Sequence, residues 1–152
     1  MITEDRPATP WHIWVVGVVS LLWNARGAYD YLMTQSRNMD YLQATADRVN
    51  MPIDMMVGYY TGFPAWADAT WALGVWGAVF GSLLILLRSR YAFHAFIVSV
   101  IGIIGTTIYT LGSSVPAELT SNYAMLFSAA IAVVTVLLAI YSRRQTAAGV
   151  LR

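Results

Sequence analysis

Three ionisable side chains, Arg26, Asp30 and Asp68, sit in or beside long apolar runs. Arg26 and Asp30 are four residues apart, the spacing at which opposite charges on one helix can pair. Both close the stretch Trp11–Gln35, WHIWVVGVVSLLWNARGAYDYLMTQ, which opens with thirteen residues free of formal charge when His12 is neutral. A charge left in hydrocarbon costs several kcal/mol unless it finds a partner or water, so such residues are candidates for solute or proton chemistry. Depth moderates that reading. At about 1.5 Å per residue, Arg26 lies roughly 7 Å inside the outer boundary, where its guanidinium can reach the interface and pair with Asp30. Asp68 stands about 30 Å along its helix from Arg88 and so reaches a similar outer level. The residues therefore support either a structural ion pair or a site for a polar solute built from Asn24, Arg26, Asp30, Asp68 and Trp71. Asn24 is deeper, on a stripe with Gly17, Ser20, Gly27 and Tyr31, where its amide can also bond across helices.

Other chemistry finds little support. His12 and His94 each open an odd-numbered span and could share a level, as two haem or metal ligands would, but no third ligand or haem signature accompanies them. No Ser or Thr has a base at a recognisable spacing, and no glycine loop suits a phosphate. With no cysteine, disulfides, thiol redox chemistry and thiolate metal sites are excluded. The expectation is a non-catalytic chain with no metal and no cofactor.

The elements that must position these residues are membrane helices. A chain of 152 residues that is 58% hydrophobic and 11% charged lacks the polar side chains to cover a soluble globule. A net charge of +1 gives no basic face for nucleic acid. The N-terminus MITEDRPATP is acidic and Trp, Asn and Arg follow the apolar run, so a cleaved signal peptide is not expected.

Four spans are expected, at about 11–33, 64–87, 91–111 and 123–141. The connection 34–63 opens with Arg37–Asn50, which places Met39, Leu42, Ala46 and Val49 at helical spacing and reads as an amphipathic surface helix. The following MPIDMMVGYYTGFP reads as an irregular interfacial loop. Gly74, Gly77 and Gly81 form a stripe on the second span, with Gly102 on the third and Ser128 on the fourth as further packing positions. The fold expected is all-α: a single-domain four-helix transmembrane bundle with an amphipathic external segment between spans 1 and 2.

Short cytoplasmic segments carry the excess of arginine, and Arg88, Arg90, Arg143, Arg144 and Arg152 all fall on one side of such a bundle. Both tails, 1–10 and 142–152, are then cytoplasmic, with 34–63 and the Glu118 loop outside, although Arg37 and Arg48 in that connection weaken the contrast. The stretches PWHIWVVGVVSLLWNARGAYDYLMTQ and YYTGFPAWADATWALGVWGAVFGSLLILLRSR resemble a group of small four-span proteins of the bacterial inner membrane, over roughly residues 10–110. Members of that group are sometimes labelled sugar transporters. The resemblance implies a multi-pass inner-membrane location and no particular functional residue.

Two functions of different class are expected from these residues. One is binding or passage of a small polar solute, the bundle enlarged by homo-oligomerisation through the Gly77/Gly81 face. The other is a non-catalytic accessory or assembly subunit of a larger membrane complex, its small-residue faces docking partner helices in the lipid bilayer.

Overall fold

The computed structural model describes residues 8–152; residues 1–7, most of the expected N-terminal tail, lie outside the described residues. The described chain is all-α. Its elements are α1 (Trp11–Gln35), α2 (Met39–Val49), α3 (Ile53–Thr61), α4 (Ala65–Leu86), α5 (Ala92–Gly112), a 3-10 turn at Ala117–Thr120, and α6 (Asn122–Ala147).

Three of these helices, α4, α5 and α6, are long and apolar enough to cross a membrane. Of the four spans expected, three meet that measure and the first, α1, does not. At 25 residues α1 has the length, but His12, Asn24 and Arg26 dilute its apolar run.

Prolines stand at helix entrances, where their missing N–H costs nothing: Pro10, Pro52 and Pro64 precede α1, α3 and α4. Left-handed residues turn the chain at helix ends. Arg37 (φ 52°) follows α1, Asn50 (φ 59°) caps α2 and Arg88 (φ 56°) follows α4. Asn38 starts α2 by accepting the Tyr41 N–H on its side chain at 3.0 Å.

The segment after Pro52 is helical, correcting the irregular loop expected there. Ile53, Met56, Val57 and Tyr60 fall at helical spacing and pack against the buried Leu42, Ala46 and Met51, with Leu119 of the 3-10 turn covering the same cluster. The proline and glycines that suggested a loop bound α3 or sit on its exposed side. Together α2 and α3 form a small helical cap over one end of the bundle.

In the bundle, α1 packs on α4, α4 on α5 and α5 on α6, and the α4–α5 seam is the most extensive. Its closeness depends on glycine. A methyl at Gly77 would stand 2.7 Å from the Ser99 nitrogen and 2.9 Å from the Ala95 oxygen, both backbone atoms, and Gly81 lies under the Phe96 ring. Gly102 meets the backbone of Gly74, and the Ser99 hydroxyl donates to the Gly74 carbonyl at 2.5 Å. The Gly77/Gly81 face is therefore consumed within the chain. It is not the open surface for self-association that the stripe suggests.

The other end of the bundle holds the main core: Ile13, Ile85, Ala92, Phe96, Leu138 and Ala139, together with Val150 and Leu151. Here α6 runs past the expected end at Tyr141, and Arg143 and Arg144 lie in its last turns, where cations complement the helix dipole. Gly149, at φ 72°, then reverses the chain. Val150 and Leu151 plug the core, and Arg152 clasps the α4–α5 turn through N–H to Arg88 O (2.8 Å) and Arg90 N–H to its own carbonyl (2.9 Å). Residues 142–147 thus continue α6, and Val150–Arg152 close this end of the bundle. Ser128, expected on a packing face, is exposed; α6 buries Thr135, Leu138, Ala139 and Ser142 instead, because its contact with the bundle is concentrated toward the clasp.

Candidate functional site

The polar residues gather at the cap end, where α1 finishes and α4 begins. The Tyr41 hydroxyl of α2 donates to the Asp30 carboxylate at 2.5 Å, and Arg26 Nη1 donates to the same hydroxyl at 3.4 Å. The two charges expected to pair are thus joined through a third residue from another helix. Arg26 also lies 6.0 Å from the Tyr29 ring centroid, a cation–π distance. Burial pushes the Tyr41 phenol upward, so it is a neutral donor at physiological pH.

Asp68, half-buried in the first turn of α4, accepts from Gln35 Nε2 at 3.1 Å. Thr34, Gln35, Arg37, Tyr60, Thr61 and Asp68 line one polar cleft of about 100 Å³. An acceptor (Asp68) and donors (the Gln35 amide and the Arg37 guanidinium) therefore face a single small space. Burial raises the Tyr60 phenol strongly and keeps it protonated.

Beside the cleft stands a shelf of rings. Trp71 stacks on Tyr60 with centroids 5.7 Å apart and meets Tyr31 edge-on at 5.0 Å. Phe63 carries the contact on to Tyr109 at 4.6 Å. Edge-on and offset rings at these separations hold one another in fixed orientation, which stiffens the side of the cleft.

The structure brings Asp68 and Trp71 to this region and places Arg26 and Asp30 in the neighbouring Tyr41 cluster. Asn24 is elsewhere. It is buried against α4, its amide donating to Ala78 O at 3.2 Å and Ser82 Oγ at 3.0 Å, so both amide hydrogens are engaged between helices. Gln35, Arg37, Tyr41, Tyr60 and Thr61 were not singled out by sequence reasoning. The helical spacing of 53, 56, 57 and 60 could have placed Tyr60 on the inner face of α3; nothing local could have joined Gln35 to Asp68. At the clasp end His12 Nδ1 and the Tyr141 hydroxyl share a 2.6 Å hydrogen bond, while His94 is exposed beside Tyr91 and Phe93.

The cleft can hydrogen-bond and orient a few heavy atoms, being below the roughly 300–1,000 Å³ of pockets that enclose drug-sized ligands. Searches against protein families, curated proteins and solved structures find no match to this chain.

Proposed function

We propose that the chain is a non-catalytic, four-span protein of a bacterial inner membrane that binds a small polar solute at its cap end. The observation that carries this reading is the Asp68–Gln35 pair facing Arg37 and Tyr60 in one cleft beside Trp71. A hydroxyl-bearing solute suits such a set, because it can donate to the carboxylate, accept from the amide and guanidinium, and lay an apolar face on an aromatic ring.

The fourth span in this proposal is α1. Its length of about 37 Å exceeds the roughly 30 Å hydrocarbon layer. Asn24 is satisfied against α4, and Val15, Val18, Val19 and Leu22 are exposed as lipid-facing side chains would be. The arginines support an orientation with both termini cytoplasmic: five, Arg88, Arg90, Arg143, Arg144 and Arg152, gather at the clasp, against two, Arg37 and Arg48, at the cap.

Binding is favoured over passage because the α4–α5 seam is filled by glycine–backbone contacts. The same observation supports the second reading, an accessory subunit of a larger membrane complex. In that case a partner helix or a second copy would use the exposed outer half of α6, around Leu126 and Val133.

Titration of the folded, detergent-solubilised chain with a panel of sugars and polyols tests the first reading. Saturable binding that falls at least tenfold in Asp68→Asn and Gln35→Ala is expected. Absence of binding by folded protein overturns it, and a reproducible heteromeric partner in mild detergent then favours the second reading.

A further inference from the structure

A second cavity is unrelated to the polar cleft. It is a crevice of about 590 Å³ between α5 and α6 at the clasp end. Phe93, Ile97 and Val100 of α5 recur at helical spacing along one wall, and Val136 and Ile140 of α6 form the other. The crevice opens outward from the bundle, since Ile97, Val136 and Ile140 are 37%, 42% and 45% exposed. In a membrane that opening faces acyl chains.

Two charges mark one end of this apolar slot. Arg143 and Arg144 continue the α6 wall beyond Ile140 and are exposed. From Val136 to Ala147 the wall runs about 16 Å, close to half of a roughly 30 Å hydrocarbon core. A slot one leaflet deep, apolar along its length and cationic at its mouth, has the polarity of a phospholipid.

Among the described residues, no acidic side chain stands at the clasp beside these guanidinium groups. All six Asp and Glu residues of the described chain, Asp30, Asp40, Asp47, Asp54, Asp68 and Glu118, lie toward the cap. The carbonyls at the end of α6, which could otherwise attract the arginines, already accept backbone N–H groups: Arg144 O from Ala148, Thr146 O from Gly149 and Gln145 O from Val150. Among the described residues the charge at the mouth is thus unmatched by an acidic side chain, which suits an anionic headgroup.

We propose that the α5–α6 crevice holds one anionic phospholipid, with an acyl chain along the Val136–Ile140 wall and its phosphate on Arg143 and Arg144. The site follows from the membrane assignment and is independent of the solute reading at the cap. With about 1 kcal/mol of attraction per surface arginine, two arginines give roughly a 30-fold preference for an anionic over a neutral headgroup.

The test is native mass spectrometry of the full chain released from vesicles of equal parts phosphatidylglycerol and phosphatidylcholine with matched acyl chains. Wild type is expected to retain one phosphatidylglycerol in strong preference. Arg143→Gln with Arg144→Gln should abolish the preference, and Val136→Trp should abolish retention with both charges intact, because it fills the slot. Equal retention of the two lipids by wild type, or undiminished retention by folded Val136→Trp, overturns the proposal; the latter would reduce the arginines to general surface attraction. Thermal stabilisation by inorganic phosphate equal to that by phosphatidylglycerol also overturns it, since the apolar walls would then have no role. Should the double arginine variant fail to fold, Val136→Trp alone decides.

Discussion

The Tyr41 hydroxyl is 2.5 Å from the Asp30 carboxylate, so a phenol on α2 closes the charge cluster of α1. Arg26 reaches the same hydroxyl at 3.4 Å, and the cap is thereby tied to the bundle by a hydrogen bond to a charged acceptor. Such bonds contribute roughly 1.5–3 kcal/mol when buried, and less with the exposure present here. Tyr41→Phe is expected to lower thermal stability by about 1 kcal/mol and to speed amide exchange across α2. A double-mutant cycle with Asp30→Asn should show coupling between 30 and 41. Strict additivity would mean that the tie contributes nothing.

Alkaline pH should loosen the cap before the bundle. Burial is the leading cause of the raised pKa of Tyr41, Tyr59 and Tyr60. A phenol raised on folding favours the folded state fully while pH stays below its unfolded value of about 10, and that contribution is lost as pH climbs through the folded value. Tyrosinate absorbance followed together with amide exchange should show α2 and α3 opening above about pH 10 while α4 and α5 stay protected. Simultaneous loss of protection in all four helices would show that the cap is not a separate unit.

The sequence resolves what is local and periodic. The apolar runs of α4, α5 and α6 and the amphipathic face of α2 are legible because burial there follows the helical repeat. At α3 the same repeat is present, but Pro52, Gly58 and Gly62 drew attention to breaks that in fact bound the helix or lie on its exposed side. The cleft was legible only in Asp68 and the neighbouring Trp71. Gln35 and Tyr60 reach it through the turn at Arg37 and the docking of the cap, long-range events that no local pattern encodes. For the same reason Leu151, at the end of a polar segment, gave no sign that it fills a core between four helices.

Glycine substitutions should divide sharply by position. At Gly77 a methyl meets backbone atoms at 2.7 and 2.9 Å, whereas at Gly27 and Gly58 nothing lies within 4 Å. Gly77→Ala is expected to cost about 1–3 kcal/mol through overpacking of the α4–α5 seam. Gly27→Ala should raise stability by up to about 1 kcal/mol, since alanine is the better helix former in open space. Thermal melts in one detergent compare them directly, and equal effects at 77 and 27 would show that the seam is looser than its glycine contacts imply.

The clasp makes the last prediction. Leu151 is 1% exposed among Ile13, Ile85, Phe96 and Leu138, so it joins α1, α4, α5 and α6 at one point. Leu151→Ala leaves the backbone bonds of Arg152 in place and removes only the side chain, a change that costs about 2–5 kcal/mol at a buried site that cannot collapse. Deleting 150–152 removes both the plug and the two bonds to Arg88 and Arg90 and should cost more. The loss should be local to the clasp, with amide exchange rising at the α4–α5 turn and at the end of α6 while the cap stays protected. If Leu151→Ala melts like wild type, then Leu151 is covered without being needed. If the deletion is no worse than Leu151→Ala, the backbone bonds at Arg152 add nothing to the plug.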